Sequence, residues 1–328
     1  MKKNKKKALV MLTMPALIAI CVFSVISMAN KENHDLVHEF VIDLSEKNYH
    51  KVYLLDENKY LIPLSVDVSN KEYLVDEIYT IVSNLRDLDV EGFNTVLAQD
   101  VKINKIELEN GILNIDFSKE FLVYQKNLEE KIIESLTWSV MDFEQVQGLT
   151  ISVEGVRLEK MPINGLQLPS VLNKDIGINK YNDLASDFIN GESAVILYQK
   201  QVNGKVYYVP VTRRVELNEN EVLKVINAMD TSIGVLSGLS PIEKYKEVKI
   251  DQITLEDETV NVNLAKSALI DDNLIGSDMY ELLMVTFNYN NLDAKVNFFV
   301  DNEIVEVNGY NNSMEEAVSD IIFNEIPL

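Results

Sequence analysis

The chain repeats itself at a fixed distance of 147 residues. The stretch VKINKIELENGILNIDFSKEF begins at Val101, and the similar stretch VKIDQITLEDETVNVNLAKSA begins at Val248. The same offset aligns further identical residues: Tyr60 with Tyr207, Pro63 with Pro210, Leu136 with Leu283, Val153 with Val300 and Glu159 with Glu306. An unbroken register of this length indicates a duplicated domain, since a chance resemblance between two strands would not extend so far.

The 328 residues are enough for two domains that each bury a core of their own. We expect one domain at residues 49–161, called copy one, and a second at 193–307, called copy two. The remaining segments are expected to anchor or connect them: 1–29 as a membrane anchor or signal segment, 30–48 and 162–192 as linkers, and 308–328 as a tail. Short helices are predicted at Tyr181–Ile189 and from Asn311 onward.

Each copy shows the same order of periodic segments. Two β-like runs come first, then a helix, a strand pair, a second helix and a closing strand pair, which gives the order β-β-α-β-β-α-β-β. Ser69 with Glu72, and Asn218 with Glu221, read as capping boxes at the start of the first helix of each copy. The predicted class is therefore α+β, with two tandem two-layer domains whose helices pack on one face of a sheet.

The quoted stretches contain a change of phase that both copies share. Apolar residues switch parity at Asn104-Lys105 in copy one and at Asp251-Gln252 in copy two, which predicts a β-bulge at each place. Turns are predicted at Asn110-Gly111, Glu154-Gly155, Asn203-Gly204 and Asp301-Asn302.

The N-terminus has the features of a membrane segment. Five lysines precede an uncharged apolar run, Ala8–Ala29, which at helical rise is long enough to cross a bilayer. Lysines on this flank place the N-terminus in the cytoplasm and the rest of the chain outside. We expect an uncleaved single-pass anchor. Two alternatives stay open, signal cleavage near Ala29 and a lipid-modified Cys21.

The charge of the remaining residues excludes one class of partner. After residue 29 the chain carries 25 Lys and Arg against 52 Asp and Glu, a net charge of −27. Such a body repels nucleic acid and anionic lipid surfaces, so we expect no nucleic-acid binding. Membrane contact is expected through the N-terminal helix alone.

Catalytic machinery is not expected. His34, His38 and His50 are the only histidines, and the single cysteine lies in the membrane segment, so neither copy can form a histidine-dependent triad after residue 50. The sequence contains no P-loop, no G-x-S-x-G and no G-x-G-x-x-G. We predict a chain that is not an enzyme, without catalytic, cofactor-binding or metal-binding residues, and without a small-molecule substrate.

Paired carboxylates are the remaining route to acid-base chemistry. Asp116 and Glu120 flank Ser118 and Lys119 and form the most suggestive set. We favour a structural role, because copy two has Asn263 and Ala265 in place of Asp116 and Ser118. Lys119 and its equivalent Lys266 are expected to cover apolar surface with their stems.

Two patterns resemble metal sites only partly. His34 and His38 are four residues apart, but in a polar linker. The stretch DLDVEG, Asp87 to Gly92, imitates the start of an EF-hand loop, yet Ala98 stands where a bidentate Glu is needed.

Aromatic residues offer a further candidate surface. Trp138 lies near the apolar row of the second helix and is predicted to be core or half-buried. Tyr53, Tyr60, Tyr207 and Tyr208 could line a glycan-binding surface, although a packing role is the simpler interpretation.

Copy one contains the stretches GFNTVLAQDVKINKIELENGILNIDFSKEF and LTISVEGVRLE, a strand-turn-strand pattern and a closing strand. Both are similar to the corresponding parts of the GerM domain of sporulation and spore germination proteins. Copy two departs from the pattern, since residues 263–266 read Asn-Leu-Ala-Lys where residues 116–119 read Asp-Phe-Ser-Lys. Its membership depends largely on the internal repeat.

The resemblance implies a function without catalysis. Proteins of this family resemble the ring-building modules of membrane-spanning assemblies in sporulating cells. We therefore expect a membrane-anchored, extracytoplasmic assembly or scaffold protein that contacts other envelope or membrane proteins or copies of itself. The alternative is a cell-wall glycan-binding protein or a carboxylate-dependent wall hydrolase.

Overall fold

The computed structural model describes residues 41–42, 48–181, 191–216, 220–229, 238–242, 248–256, 259–292, 295–310, 321–322 and 324–326. All of them belong to one compact unit, His38–Leu328. Residues 1–40, 182–190 and 311–320 lie outside the described part, and with them the predicted anchor, His34 and His38, and both predicted short helices apart from Tyr181. No helix of the described part is both long and apolar enough to cross a membrane.

The first half of the chain follows the predicted order of elements. After a short strand β1 come a hairpin, a helix, a hairpin, a helix and a strand pair. The elements are β1 (Val41–Ile42), β2 (Tyr49–Leu55), β3 (Leu61–Asp67), α1 (Leu74–Asp87), β4 (Ile103–Glu109), β5 (Ile112–Phe117), α2 (Glu129–Val140), β6 (Gly148–Val153) and β7 (Val156–Arg157).

The second half repeats this order and inserts one short strand pair before its second helix. A last strand follows near the C-terminus. The elements are β8 (Gly191–Val202), β9 (Lys205–Glu216), α3 (Glu221–Met229), β10 (Val248–Glu256), β11 (Thr259–Leu264), β12 (Leu269–Asp271), β13 (Leu274–Ile275), α4 (Ser277–Tyr289), β14 (Lys295–Val300), β15 (Glu303–Val307) and β16 (Ile321–Ile322).

Both halves form the same type of mixed sheet. In copy one the strand order is β4-β5-β6-β7, and β5 runs parallel to β6 because α2 connects them. In copy two the order is β10-β11-β14-β15-β13-β12, and β11 runs parallel to β14 across α4. The β2-β3 and β8-β9 hairpins are separate, and β1 pairs with β16. The predicted α+β class is confirmed.

The predicted bulges and turns are present. The β4-β5 register shifts between Ile103 and Lys105, and the β10-β11 register shifts between Val248 and Ile253. All four predicted turns place two successive residues at positive φ, for example 52° at Asn110 and 78° at the following glycine. This geometry matches the twist of the flanking strands in two-residue hairpins.

The predicted capping box of copy one is wrong. Helix α1 begins at Leu74, and the Tyr73 side chain at its N-cap position makes no capping hydrogen bond. Ser69 lies outside the helix, where its N–H donates to Asp67 Oδ1 over 2.9 Å. In copy two Asn218 lies outside the described residues, and Asn220 Oδ1 accepts from the N–H of Leu223 at the start of α3.

The buried apolar residues of both copies form one cluster, so the core continues from one copy into the other. Trp138 belongs to it, as predicted, and its Nε1 donates to the carbonyl of Gly177 over 2.8 Å. The largest fully buried side chains are Trp138, Tyr53, Tyr198, Phe117, Phe121, Phe143, Phe287 and Phe298. The limits of the two domains given above stay a prediction.

Candidate functional site at the junction of the two copies

The carboxylate of Asp116 holds the neighbouring turn in place. Its Oδ1 accepts from the N–H of Gly155 over 2.8 Å, and its Oδ2 accepts from the amide of Asn104 over 3.2 Å. Both oxygens therefore bind groups that belong to the β6-β7 turn and to the bulge of β4. This role fits the structural interpretation of Asp116.

The neighbours of Asp116 also bind backbone or face solvent. Ser118 Oγ accepts from the N–H of Lys102 over 3.0 Å. The N–H of Lys119 donates to Glu154 Oε1 over 3.0 Å, and the Lys119 side chain is exposed. A hydrogen bond from Ser118 lowers the pKa of Glu120 from its ordinary value. Ser118 and the backbone of Lys119 thus bind groups at one corner of the sheet.

In the EF-hand-like stretch, the first carboxylate binds an arginine of the chain and is not arranged as in a calcium loop. Asp87 forms an ion pair with the preceding residue, Arg86, whose guanidinium also donates to the carbonyl of Val101 over 2.6 Å. A hydrogen bond from Arg86 lowers the pKa of Asp87. Within the described part of the chain, no three Asp, Glu, His or Cys residues form a cluster suited to a metal ion.

The four tyrosines proposed as a glycan surface do not form one. Tyr53, Tyr207 and Tyr208 are buried and Tyr60 is half-buried. Burial raises the pKa of Tyr208 to about 12. Because a stacking platform for sugars needs accessible ring faces, the structure contradicts this use of the four residues and supports the packing interpretation.

Tyr53 instead lies at the junction, which is defined here as the region where copy one and copy two are in contact. At its centre Tyr53 of β2 and Tyr289 of α4 share a hydrogen bond of 3.0 Å between their hydroxyls. Trp138 of α2 stacks on Tyr289 with ring centroids 5.6 Å apart. Burial, together with the neighbouring Tyr289 and Asp142, raises the pKa of Tyr53 well above its ordinary value. The phenol thus stays protonated and can act as a donor.

Beside these rings lies a charged cluster of copy one. Asp142 Oδ1 accepts from Lys51 Nζ and its Oδ2 from the Lys51 backbone N–H, both over 2.9 Å. His50 Nδ1 lies 3.4 Å from Asp142 Oδ2, and its ring stacks on Phe143. Burial alone would raise the pKa of Asp142, but Lys51 and His50 outweigh it and hold the pKa well below its usual range. This carboxylate is therefore charged and already bound by donors at neutral pH.

A buried ion pair joins the copies at a second point. Lys200 of β8 places its Nζ 3.3 Å from Asp56 Oδ2 and donates to Asn58 Oδ1 over 2.7 Å. The same ammonium lies 5.7 Å from the centroid of the Tyr60 ring. Both charged groups are buried, so the loss of either would leave the other without its counter-charge.

Asn179 holds the segment between the copies in place. Its side-chain amide exchanges two hydrogen bonds with the backbone of Leu61, both 2.8 Å long, and donates a third to the carbonyl of Pro210. Leu61 belongs to β3 of copy one and Pro210 to β9 of copy two. The N–H of Asn179 donates to the buried Glu134 of α2. One residue thus binds both copies.

Asn324 repeats this arrangement near the C-terminus. Its side-chain amide exchanges hydrogen bonds of 2.8 and 2.7 Å with the backbone of Tyr208, the residue 147 positions after Leu61. Its carbonyl accepts from the N–H of Ser65 in copy one over 3.3 Å. Both asparagines adopt positive φ, a conformation that asparagine tolerates better than most residues. We call the segments 177–181 and 324–326 the two latches.

Glu129 anchors the loop that leads into the first latch. Its carboxylate accepts from three backbone N–H groups, those of Ile163, Asn164 and Leu166, at 2.7 to 3.0 Å. The hydroxyl of Tyr124 donates a fourth hydrogen bond over 2.7 Å. Burial alone would raise the pKa of Glu129, but these donors lower it below its ordinary value.

Sequence reasoning named Tyr53, Tyr60 and Trp138 but missed their place between the copies and the other residues of the junction, although the repeat contained a signal for some of them. At the offset of 147, Tyr53 aligns with Lys200 and Asp142 aligns with Tyr289. At each of these two positions one copy has a tyrosine and the other has a charged residue. This is unexpected for two copies with the same core. Such differences are expected where one copy contacts the other.

The hydrogen bonds and ion pairs of this arrangement hold the two copies together. The carboxylates of Asp56, Asp116, Glu129 and Asp142 accept hydrogen bonds from side chains or backbone N–H groups of the fold itself. Each of the four carboxylates thus binds groups of the fold itself. The junction is the candidate functional feature, because it unites two similar domains.

Comparisons with known proteins agree with this fold. Residues 51–159 match the family model Germane, described as sporulation and spore germination. The spore germination protein GerM of Bacillus subtilis (strain 168) is 24% identical over 280 residues, which cover 82% of this chain and 76% of the relative. The solved tandem GerMN domains of the sporulation protein GerM from Bacillus subtilis are similar with a TM-score of 0.66 at 23% identity, over 84% of this chain and 98% of that chain. The predicted resemblance is confirmed.

Proposed function

We propose that this chain, which belongs to the GerM-domain family of sporulation and spore germination proteins, is a membrane-anchored assembly module without catalytic activity. The observation that carries this proposal is the junction. Two similar domains share one core and are fixed to each other by Asn179, Asn324 and the Lys200–Asp56 pair. Such a unit can present two binding surfaces at a fixed spacing, which strengthens attachment when each contact is weak.

The use of the carboxylates supports a role other than hydrolysis. A wall hydrolase of the carboxylate type needs two acids that face a substrate across a gap. Asp116, the acid that the sequence singled out, binds the β6-β7 turn and the β4 bulge instead. The burial of Tyr53, Tyr207 and Tyr208 weighs against a glycan-binding role.

The N-terminus supports attachment to a membrane. Five lysines and an uncharged run of 22 residues precede the body, whose net charge of −27 disfavours adsorption to anionic lipid. In this proposal the run 8–29 is an uncleaved anchor, the body is extracytoplasmic, and the partners are other envelope or membrane proteins. The relative's printed name, spore germination protein, supports a role in sporulation or germination.

The test is deletion and complementation in the source cell. Deletion is expected to reduce spore yield or germination, and the full chain with a C-terminal tag is expected to restore it and to locate at the membrane. A form whose run 8–29 is replaced by a cleavable signal peptide is the matched control and is expected not to restore function. Normal yield and germination after deletion, or a diffuse cytoplasmic signal, would contradict the proposal.

A second assay separates the proposal from its alternative. Purified residues 38–328, which contain all described elements, are incubated with peptidoglycan at physiological salt. We expect neither release of soluble fragments nor cosedimentation. Release of fragments would show a hydrolase, and retention would show a glycan-binding protein.

A further inference from the structure

Helix α1 exposes a row of large apolar side chains. Tyr73 at its N-cap is 62% exposed, Val75 is 40% exposed and Tyr79 is 47% exposed. Val75 and Tyr79 are four residues apart and therefore lie on the same side of the helix. Three partly exposed large apolar residues between positions 73 and 79 are more than the scattered exposure that surfaces normally show. We call Tyr73, Val75 and Tyr79 the α1 stripe.

The repeat shows that protein can cover this side of the helix. Val222 and Ile226 of α3 are the equivalents of Val75 and Tyr79 at the offset of 147. They are only 9% and 2% exposed. The same two positions are thus interior in copy two and open in copy one. In copy two, other parts of the protein cover this side of the helix. In copy one, the described part of the chain leaves it partly exposed, so a partner could cover it there.

The charges around the stripe define what could cover it. Glu72, just before the helix, and Asp76 in its first turn are exposed, and Glu77 is half-buried. Residues 72–85 contain neither Lys nor Arg; Lys71 precedes this stretch, and Arg86 after it pairs with Asp87. The whole body is strongly acidic as well, so a second copy of this chain would be repelled from this face. Complementary charge therefore requires basic side chains beside apolar ones.

We propose that the α1 stripe is the docking surface for a basic amphipathic helix of a partner protein. Apolar residues of that helix would cover Tyr73, Val75 and Tyr79, while its Lys or Arg residues would lie beside Glu72 and Asp76. In recognition of this kind the apolar anchors of the bound helix recur at helical spacing. The inference deepens the proposed assembly function by naming the chemistry of one partner.

The test uses a defined probe in solution. A fluorescently labelled helical peptide of leucine and lysine, about 14 residues long, is titrated with residues 38–328 at about 150 mM salt, and its anisotropy is measured. The double variant Tyr73→Ser/Tyr79→Ser is expected to bind at least about tenfold more weakly. The matched control is Val156→Ser, which removes an equally exposed apolar side chain on β7. It is expected to bind as the wild type does.

Two further variants test the charge component. Glu72→Gln with Asp76→Asn is expected to weaken binding and to reduce its dependence on salt. A peptide with glutamate in place of lysine is expected to bind at least about tenfold more weakly than the basic one. Circular dichroism melts check that all variants remain folded, which is expected because the substituted side chains are exposed.

Several results would overturn the inference. One is that the basic peptide binds the double variant and the Val156→Ser control with equal affinity. Another is that the wild type binds the acidic and the basic peptide with equal affinity. If sedimentation shows that the wild type is a dimer and the double variant a monomer, the stripe is a self-interface. If the wild type binds peptidoglycan and the double variant does not, the stripe is a glycan-binding surface. Because these assays need no sporulating cell, their failure is distinguishable from failure of the proposed function.

Discussion

Single carboxylates in this molecule serve the fold, and Glu129 is the clearest case. It is buried, yet its two oxygens accept four hydrogen bonds, three of them from backbone N–H groups of one loop. Because those N–H groups would otherwise lack acceptors, the charge stabilises the loop more than burial disfavours it. A sequence alone shows only one glutamate among 52 acidic residues, so this role was not predictable.

Glu129→Gln is expected to lower the free energy of unfolding by about 2 to 4 kcal/mol, because the amide group turns a donor toward backbone donors. Urea unfolding followed by Trp138 fluorescence measures the change. The matched control is Glu130→Gln, whose side chain is largely exposed and pairs with Lys180. That variant should stay within about 0.5 kcal/mol of the wild type. Equal effects of the two substitutions would show that the loop does not depend on Glu129.

The lowered pKa of Asp142 predicts that the stability of the protein depends on pH. Its pKa in the folded protein lies below the ordinary value of about 3.9, so its contribution is complete above that value and is lost as the pH falls. Asp142→Asn is expected to destabilise the protein by about 2 to 3 kcal/mol at pH 7. The gap between wild type and variant should narrow by about 1 kcal/mol between pH 5 and pH 3. A gap that stays constant or widens, measured by urea unfolding against the exposed control Asp100→Asn, would contradict this assignment.

The elements differ in how well the sequence predicts them. The bulge near Lys105 and the turns at Asn110 and Asn203 were predicted because they depend on residues next to each other in the chain. The latches were not predicted, since Asn179 binds Leu61 across 118 residues and Asn324 binds Tyr208 across 116. Periodicity carries no information about a single asparagine in an irregular segment.

The first latch can be tested with two substitutions at one position. Asn179→Ala removes the amide and disfavours the positive φ of 47°, whereas Asn179→Gly removes the amide and permits that φ. If the hydrogen bonds to Leu61 and Pro210 are what matters, both variants should lose about 2 to 4 kcal/mol of unfolding free energy. A glycine variant as stable as the wild type would mean that the backbone conformation alone is required. Thermal or urea unfolding provides the measurement.

The whole molecule depends on contacts that neither copy makes alone. The sequence predicted two copies from the repeat, and the α+β fold of tandem domains agrees with that prediction. It did not predict that residues of both copies share one core cluster, because the repeat describes each copy and not the face between them. The buried pair of Lys200 and Asp56 lies on that face and is the sharpest point at which to disturb it.

Lys200→Met is expected to destabilise the protein by about 3 kcal/mol, because Asp56 would remain buried without its counter-charge. The control is Lys105→Met, which breaks only an exposed pair with Glu107 and should change stability by less than about 1 kcal/mol. Urea unfolding at pH 7 compares the two. Similar losses for both variants would show that the junction pair contributes no more than a surface pair.

Equilibrium unfolding of residues 38–328 in urea, followed by two signals in one sample, tests most directly whether the copies form one unit. Trp138 fluorescence reports the packing of copy one against Tyr289, and far-ultraviolet circular dichroism reports the secondary structure of both copies. If the shared core and the two latches join the copies, the two curves coincide in a single transition. Separate midpoints, with one copy still folded after the fluorescence change is complete, would contradict the account.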